Sequence, residues 1–253
     1  MTTHQGKPTI IVPPHRPEIA AVAPAAPYQL TYNNGTLLSA VQVCTVFWGT
    51  AWQQAPQSDV ANNLNQFFDF ILTSPLLDEL GEYSVAGGPT IGQGQRIGTV
   101  AVTTQDPNQT VADADIQNMI QQEIANDPNM PQPTANTLYF CYLPPGVTVQ
   151  GPGGGAFCQD FCGYHDSIIG QIFYAVMPYP DCQGCLGPLA GFDALTSTSS
   201  HELCEAITDA VPGQGWYDSN NNVEIGDICA WQTKQVGNYT VQQEWSNQNN
   251  TCM

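Results

Sequence analysis

From Val41 to Trp48 the chain reads as an apolar, β-branched run interrupted only by Gln42 and Thr45. That pattern predicts a strand buried on both faces. The period then changes: Val60, Leu64, Phe67, Phe68 and Ile71 recur at spacings of three and four, predicting a helix over 59–72 with Ser58 as N-cap. Ser74-Pro75 opens a second short helix. A strand is expected over 96–103, then a helix capped by Asp113 or Asp115 carrying Ile116, Met119, Ile120 and Ile124 and ending before Asp127-Pro128. Strands follow at 137–143, stopped by Pro144-Pro145, and at 171–177; a last helix begins near Thr196. The order β-α-β-α-β-loop-β-α, followed by an irregular C-terminal part, predicts an α/β fold with a mixed sheet in one domain over 28–253.

Residues 1–27 break this pattern. They are rich in Pro and Ala, as in Val12-Pro13-Pro14-His15-Arg16-Pro17, and read as a leader or extended arm in which His4 and His15 are incidental. Gly-rich stretches at 151–163 and 178–191 hold the pairs Cys158/Cys162 and Cys182/Cys185. Those pairs have zinc-like spacing, yet their Gly, Tyr and Asp neighbours fit a disulfide-stapled loop, and nine cysteines in all point to an oxidising compartment. Residues 1–27 contain no apolar core behind a basic start, so no signal peptide is expected. No run of the roughly 18 apolar residues that reads as a membrane span occurs.

Charge narrows the partners. Against 22 acids stand 4 bases, a formal net charge of −18, while charged residues are only 10% of the chain. Nucleic acid and anionic membranes are excluded as partners, because little can neutralise their phosphates.

The candidate chemistry lies in the last helix, in Ser200-His201-Glu202-Leu203-Cys204-Glu205. On a helix His201 and Glu205 share one face, so both can ligate one metal, and Glu202 lies beside it as a general base. This is the spacing of H-E-x-x-H with Glu in the second histidine's place. Ser197, Thr198, Ser199 and Ser200 before it and Ala206-Ile207 after it mark a buried helix, where unpaired His and Glu are costly. Asp209 continues the series but lies about 12 Å along a straight helix from His201, too far to share an ion. Asp227, in Glu224-Ile225-Gly226-Asp227, is the preferred third ligand because Gly226 permits close approach; Glu224 then supports a ligand's second nitrogen or caps the helix. His165, placed in a loop, is a further candidate ligand or transition-state donor, with Asp166 beside it to fix its tautomer. The cluster Asp218-Ser219-Asn220-Asn221-Asn222 reads as a turn, with calcium as an additional structural ion the other reading. A Ser triad at Ser199 or Ser200 and a Cys204 nucleophile are both disfavoured, the first by helix geometry and the second by neighbouring acids.

These residues, in this order, resemble the Exordium/phosphate-induced protein family. The resemblance runs through Tyr32-Asn33-Asn34-Gly35-Thr36-Leu37-Leu38, Cys162-Gly163-Tyr164-His165, Cys182-Gln183-Gly184-Cys185, the 201–209 segment and Glu224-Ile225-Gly226-Asp227-Ile228-Cys229. It implies an extracellular or cell-surface protein and a Cys229–Cys252 pairing. The resulting expectation is a secreted zincin-like metallopeptidase, with zinc on His201, Glu205 and Asp227, acting on a peptide or protein substrate held along the 171–177 strand by β-augmentation. The competing expectation is a non-catalytic protein with a structural metal that binds cell-wall polysaccharide on Trp52, Trp216 and Trp231, or that assembles at a surface.

Overall fold

The computed structural model describes residues 12–15 and 28–253. Most of the expected leader therefore lies outside the described residues. Its one described piece, 12–15, is packed against the body, with Val12 buried.

The chain is an α/β fold on a mixed five-stranded sheet. Strand β1 (Gln42–Trp48) is followed by helices α1 (Gln57–Ile71) and α2 (Pro75–Glu79), strand β2 (Gln95–Val102), helix α3 (Asp113–Asn126) and strand β3 (Thr137–Tyr142). Strands β4 (Tyr164–Ile168) and β5 (Ile172–Met177) precede helix α4 (Gly191–Thr208) and the hairpin of β6 (Thr233–Val236) and β7 (Tyr239–Gln242). The sheet runs β2-β1-β3-β5-β4, parallel except for β4, which pairs antiparallel with β5.

The continuous apolar run in β1 follows from cover on both faces. Phe47, Phe140 and Ala175 pack with Leu64, Phe67 and Phe68 of α1 and with Leu203 and Ile207 of α4. Val46, Tyr139, Cys141 and Val176 turn the other way, onto Ile116, Met119 and Ile120 of α3.

Several local expectations change. Helix α1 starts at Gln57 after Pro56, so Ser58 sits inside its first turn and caps nothing. At α2, Ser74 does cap, accepting from Leu76 N at 3.3 Å. Helix α4 starts at Gly191, before the expected Thr196, because its stability comes from burial rather than from the propensity of its first turn. His165 is not on a loop: residues 164–168 form the edge strand, joined to β5 by a tight turn in which Ile169 and Gly170 both have positive φ. The strand 172–177 is paired on both sides, so it has no free edge for an extended peptide. The C-terminal part, expected to be irregular, contributes the β6–β7 hairpin.

Three disulfides staple the periphery: Cys158–Cys182, Cys162–Cys185 and Cys229–Cys252. Among the described residues no helix is long and apolar enough to cross a membrane.

Candidate metal centre

Helix α4 is buried from Ala194 to Thr208 because the sheet covers one side and the β6–β7 hairpin the other. Its small hydroxylated residues permit this close packing. Ser199 Oγ meets Tyr142 Oη at 2.8 Å on the sheet side, while Thr196 Oγ1 donates to Thr240 O at 2.7 Å and Ser200 Oγ accepts from Gln242 N at 2.9 Å on the hairpin side.

The two faces of α4 aim His201 and Glu202 at different elements. His201 lies flat on Gly226, where an added Cβ would fall 2.7 Å from Nδ1. That Nδ1 is 2.7 Å from Gln242 Nε2, which also donates to Gly226 O at 2.9 Å. His201 Nε2 is thereby turned toward Glu205 Oε1, 3.1 Å away, yet it makes no hydrogen bond. Glu202 reaches the edge strand instead, its Oε2 3.1 Å from His165 Nδ1. The other ring nitrogen of His165 bonds Asp209 O at 3.2 Å. Glu205 lies between the imidazoles: Oε1 accepts from Asp227 N at 3.1 Å, and Oε2 is 3.7 Å from His165 Nδ1.

On α4 three potential ligand atoms are buried without a hydrogen-bond partner: His201 Nε2, Glu202 Oε1 and Glu205 Oε2. The same three residues can bring one ligand atom each within 4.8 Å of one another, and His165, Glu205 and Glu224 can do likewise. Metal–ligand bonds of 2.0–2.1 Å in a tetrahedron set ligand atoms about 3.3 Å apart, close to the His201–Glu205 separation.

The charge of the centre is concentrated in buried acids. Glu202, Glu205, Asp209, Glu224 and Glu244 are all buried, and Asp227 is half-buried, around two imidazoles. Burial, with the charges of Glu205, Asp209 and Asp227, pushes Glu224 well above the carboxylate range, and burial with Glu205 does the same to Asp227. Burial also raises Glu202, only partly offset by its bond to His165. For His165 burial opposes the charged form, but the Glu202 bond and the nearby acids outweigh it and raise the imidazole to about 9. His201 is raised well above its ordinary value in the same way, against burial, by Glu205 and Glu202. Among these acids Glu205 alone is lowered, the two histidines outweighing its burial.

The other candidates fall elsewhere. Asp227 belongs to neither group of converging ligand atoms; its Oδ2 accepts from Glu224 N at 3.0 Å, tying the returning segment to itself. Asp209 ends α4 and spends its carboxylate on Gly213 N, Gln214 N and Gly215 N at 2.5–3.0 Å. Glu224, expected to support a ligand, cap the helix or serve as an alternative ligand, leaves both oxygens without a hydrogen bond and converges with His165 and Glu205 as the last of these requires. Asp166 cannot set the tautomer of His165, because strand neighbours point to opposite faces; Glu202 and Asp209 O hold the ring. Asp218 accepts from Gln29 N and Asn221 Nδ2 on Oδ2 and from Asn220 N and Asn221 N on Oδ1, the bonding of a turn. The converging sulfurs of Cys158, Cys182 and Cys185 are in disulfides and offer no thiolate. Cys204 is buried and its thiol pushed far up by desolvation, so it is no nucleophile.

Gln242 and the role of His165 as partner to Glu202 were not apparent in the sequence. Neither is marked by a pattern in the sequence, since residues 164–168 lack a polar–apolar alternation and nothing singles out Gln242.

Comparison of the chain with protein-family models, with curated proteins and with solved structures finds no match.

Proposed function

We propose that the protein is a zinc-dependent hydrolase, a metallopeptidase of zincin-like design, in which His201 and Glu205 hold the cation and Glu202 is the general base. The observation that carries this reading is the set of buried atoms on one helix that make no hydrogen bond, His201 Nε2, Glu202 Oε1 and Glu205 Oε2, with His201 Nε2 3.1 Å from Glu205 Oε1. Nitrogen and carboxylate oxygen donors suit zinc. When bound, the cation supplies Lewis acidity, which lowers the pKa of water and polarises a carbonyl. The two oxygens of Glu202 divide the work of a base, Oε2 being held by His165 while Oε1 is left to take a proton. Its raised pKa moves it toward the neutral range where a general base works best. Gln242 fixes His201 through Nδ1 so that Nε2 faces the cation position. The three disulfides agree with an extracellular or cell-surface site of action, in line with the resemblance to the Exordium family.

One observation favours a second reading, in which the metal is structural. Every donor at the centre is buried, and structural sites are closed whereas catalytic ones keep an open position. The polysaccharide-binding variant of that reading loses its aromatic platform: Trp52 is buried, Trp216 donates its indole N–H to Tyr83 O at 2.6 Å, and Trp231 is engaged by residues 13–15.

Glu202→Gln separates the two readings. Turnover of a peptide library by the zinc-loaded wild type, lost in Glu202→Gln with zinc retained, is the expected result. Equal turnover by both proteins would remove Glu202 as the base, and no turnover by either would leave the structural reading.

A further inference from the structure

Residues Val12–His15 lie in a groove between the disulfide-linked loop and Trp231, held as a bound peptide would be. Val12 N donates to Gly163 O at 3.1 Å and Val12 O accepts from Cys162 N at 2.8 Å, so the segment pairs with the backbone leading into the edge strand β4. Its side chain is buried with Phe157, Phe161 and Cys185. Pro13 O accepts from Trp231 Nε1 at 2.7 Å, His15 N donates to Gly184 O at 2.7 Å, and the His15 ring stands edge-on to Trp231 at 5.2 Å.

The groove is shaped for backbone rather than for a unique side chain. A Cβ on Gly184 would lie 3.2 Å from Pro14, and one on Gly187 would lie 3.2 Å from His15 and 2.8 Å from Trp231. Trp231 itself has φ 67, a conformation disfavoured for an aromatic residue and found where function holds strain. The combination joins two modes of peptide recognition, main-chain hydrogen bonding to the backbone just before an edge strand and an aromatic side chain held against a proline-containing segment. The groove also adjoins the metal centre. Trp231 N donates to Gln242 Oε1 at 3.3 Å, and Gln242 Nε2 holds His201 Nδ1.

We propose that this groove is a binding site for an extended, proline-containing peptide, and that residues Val12–His15 occupy it in cis and exclude other peptides. The occupant is identified by the chain's own contacts, and its recognition does not depend on bound metal. Tethering gives the arm an effective concentration on the order of mM, so a free peptide competes poorly until the arm is released.

The test uses the full-length chain and a fluorescein-labelled synthetic peptide with the sequence of residues 9–16, with zinc and again with chelator. In Val12→Asp, which puts a charge where Val12 is buried, the arm leaves. This variant should bind the peptide saturably and at least ten-fold more tightly than wild type, under both metal conditions. Adding Trp231→Phe, which keeps a ring but removes the N–H to Pro13 O, should weaken that binding several-fold. If Val12→Asp does not fold, wild type carries the test: millimolar peptide should accelerate amide exchange at Val12 and His15. Equal peptide affinity in wild type and folded Val12→Asp, no effect of Trp231→Phe, or unchanged exchange would each overturn the proposal. Loss of zinc alone, with peptide binding intact, would count against the hydrolase reading and leave this one standing.

Discussion

Glu205 offers one oxygen to each side of the centre, Oε1 toward His201 and Oε2 toward His165. That division explains why the carboxylate is the one acid of the centre held below its ordinary range. His201, Glu202 and Glu205 were legible in the sequence because helical spacing alone brings side chains four apart onto one face. The choice between Asp227 and Glu224 was not, because it depends on which way the returning segment turns its carboxylates, and it is Glu224 that converges with His165 and Glu205. Gly226, by contrast, is a point of close approach as its sequence context implied, its backbone lying against the His201 ring. A single side chain, Gln242, holds Nδ1 of that ring. Gln242→Ala should weaken zinc binding by about 10- to 100-fold while the fold persists, as for other partners that orient a metal-binding imidazole. Competition against a chelator of known affinity measures this; an unchanged affinity would show that Gln242 does not orient the ring.

Among the strands and helices, those covered on two sides were the readable ones. Strand β1 announces itself by an unbroken apolar run, and α1 by its three-four spacing, since burial demands those patterns. The edge strand β4 carries His165 and Asp166 in place of a clean alternation, and its turn puts Ile169, at φ 49, in the first left-handed position where Asn or Gly is usual, with Gly170 only in the second. Ser197 to Ser200 are small for a packing reason, letting α4 fit between sheet and hairpin. Ser199→Val should therefore destabilise the protein by about 1–3 kcal/mol, by overpacking and by leaving Tyr142 Oη without its partner. Denaturant unfolding checks this, and a neutral substitution would show slack between helix and sheet.

Taken over the entire chain, the excess of acids becomes a statement about pH. Glu224, Asp227 and Glu244 are raised above ordinary carboxylate values chiefly by burial, and His165 is raised from 6.5 to about 9 against its burial by Glu202 and the other acids. In all four the fold binds protons that the unfolded chain has released, so the metal-free protein should lose stability as pH rises. Asp227 begins to contribute this loss above 3.8, Glu224 and Glu244 above 4.5, and His165 does so between 6.5 and about 9. Zinc replaces those protons, so its stabilising effect should grow over the same range. Thermal melts from pH 5 to pH 9, with chelator and with zinc, should diverge as pH rises; parallel curves would contradict a cation site among these acids.

Everything proposed for the centre depends on His201 and Glu205 holding a metal ion. The elemental content of protein purified without chelator, for wild type and for His201→Ala, decides whether they do. Near-stoichiometric zinc is expected in wild type, with its loss from a His201→Ala protein that keeps its circular dichroism and its disulfides. Wild-type protein that carries no metal, and takes up none when dialysed against zinc, would contradict it.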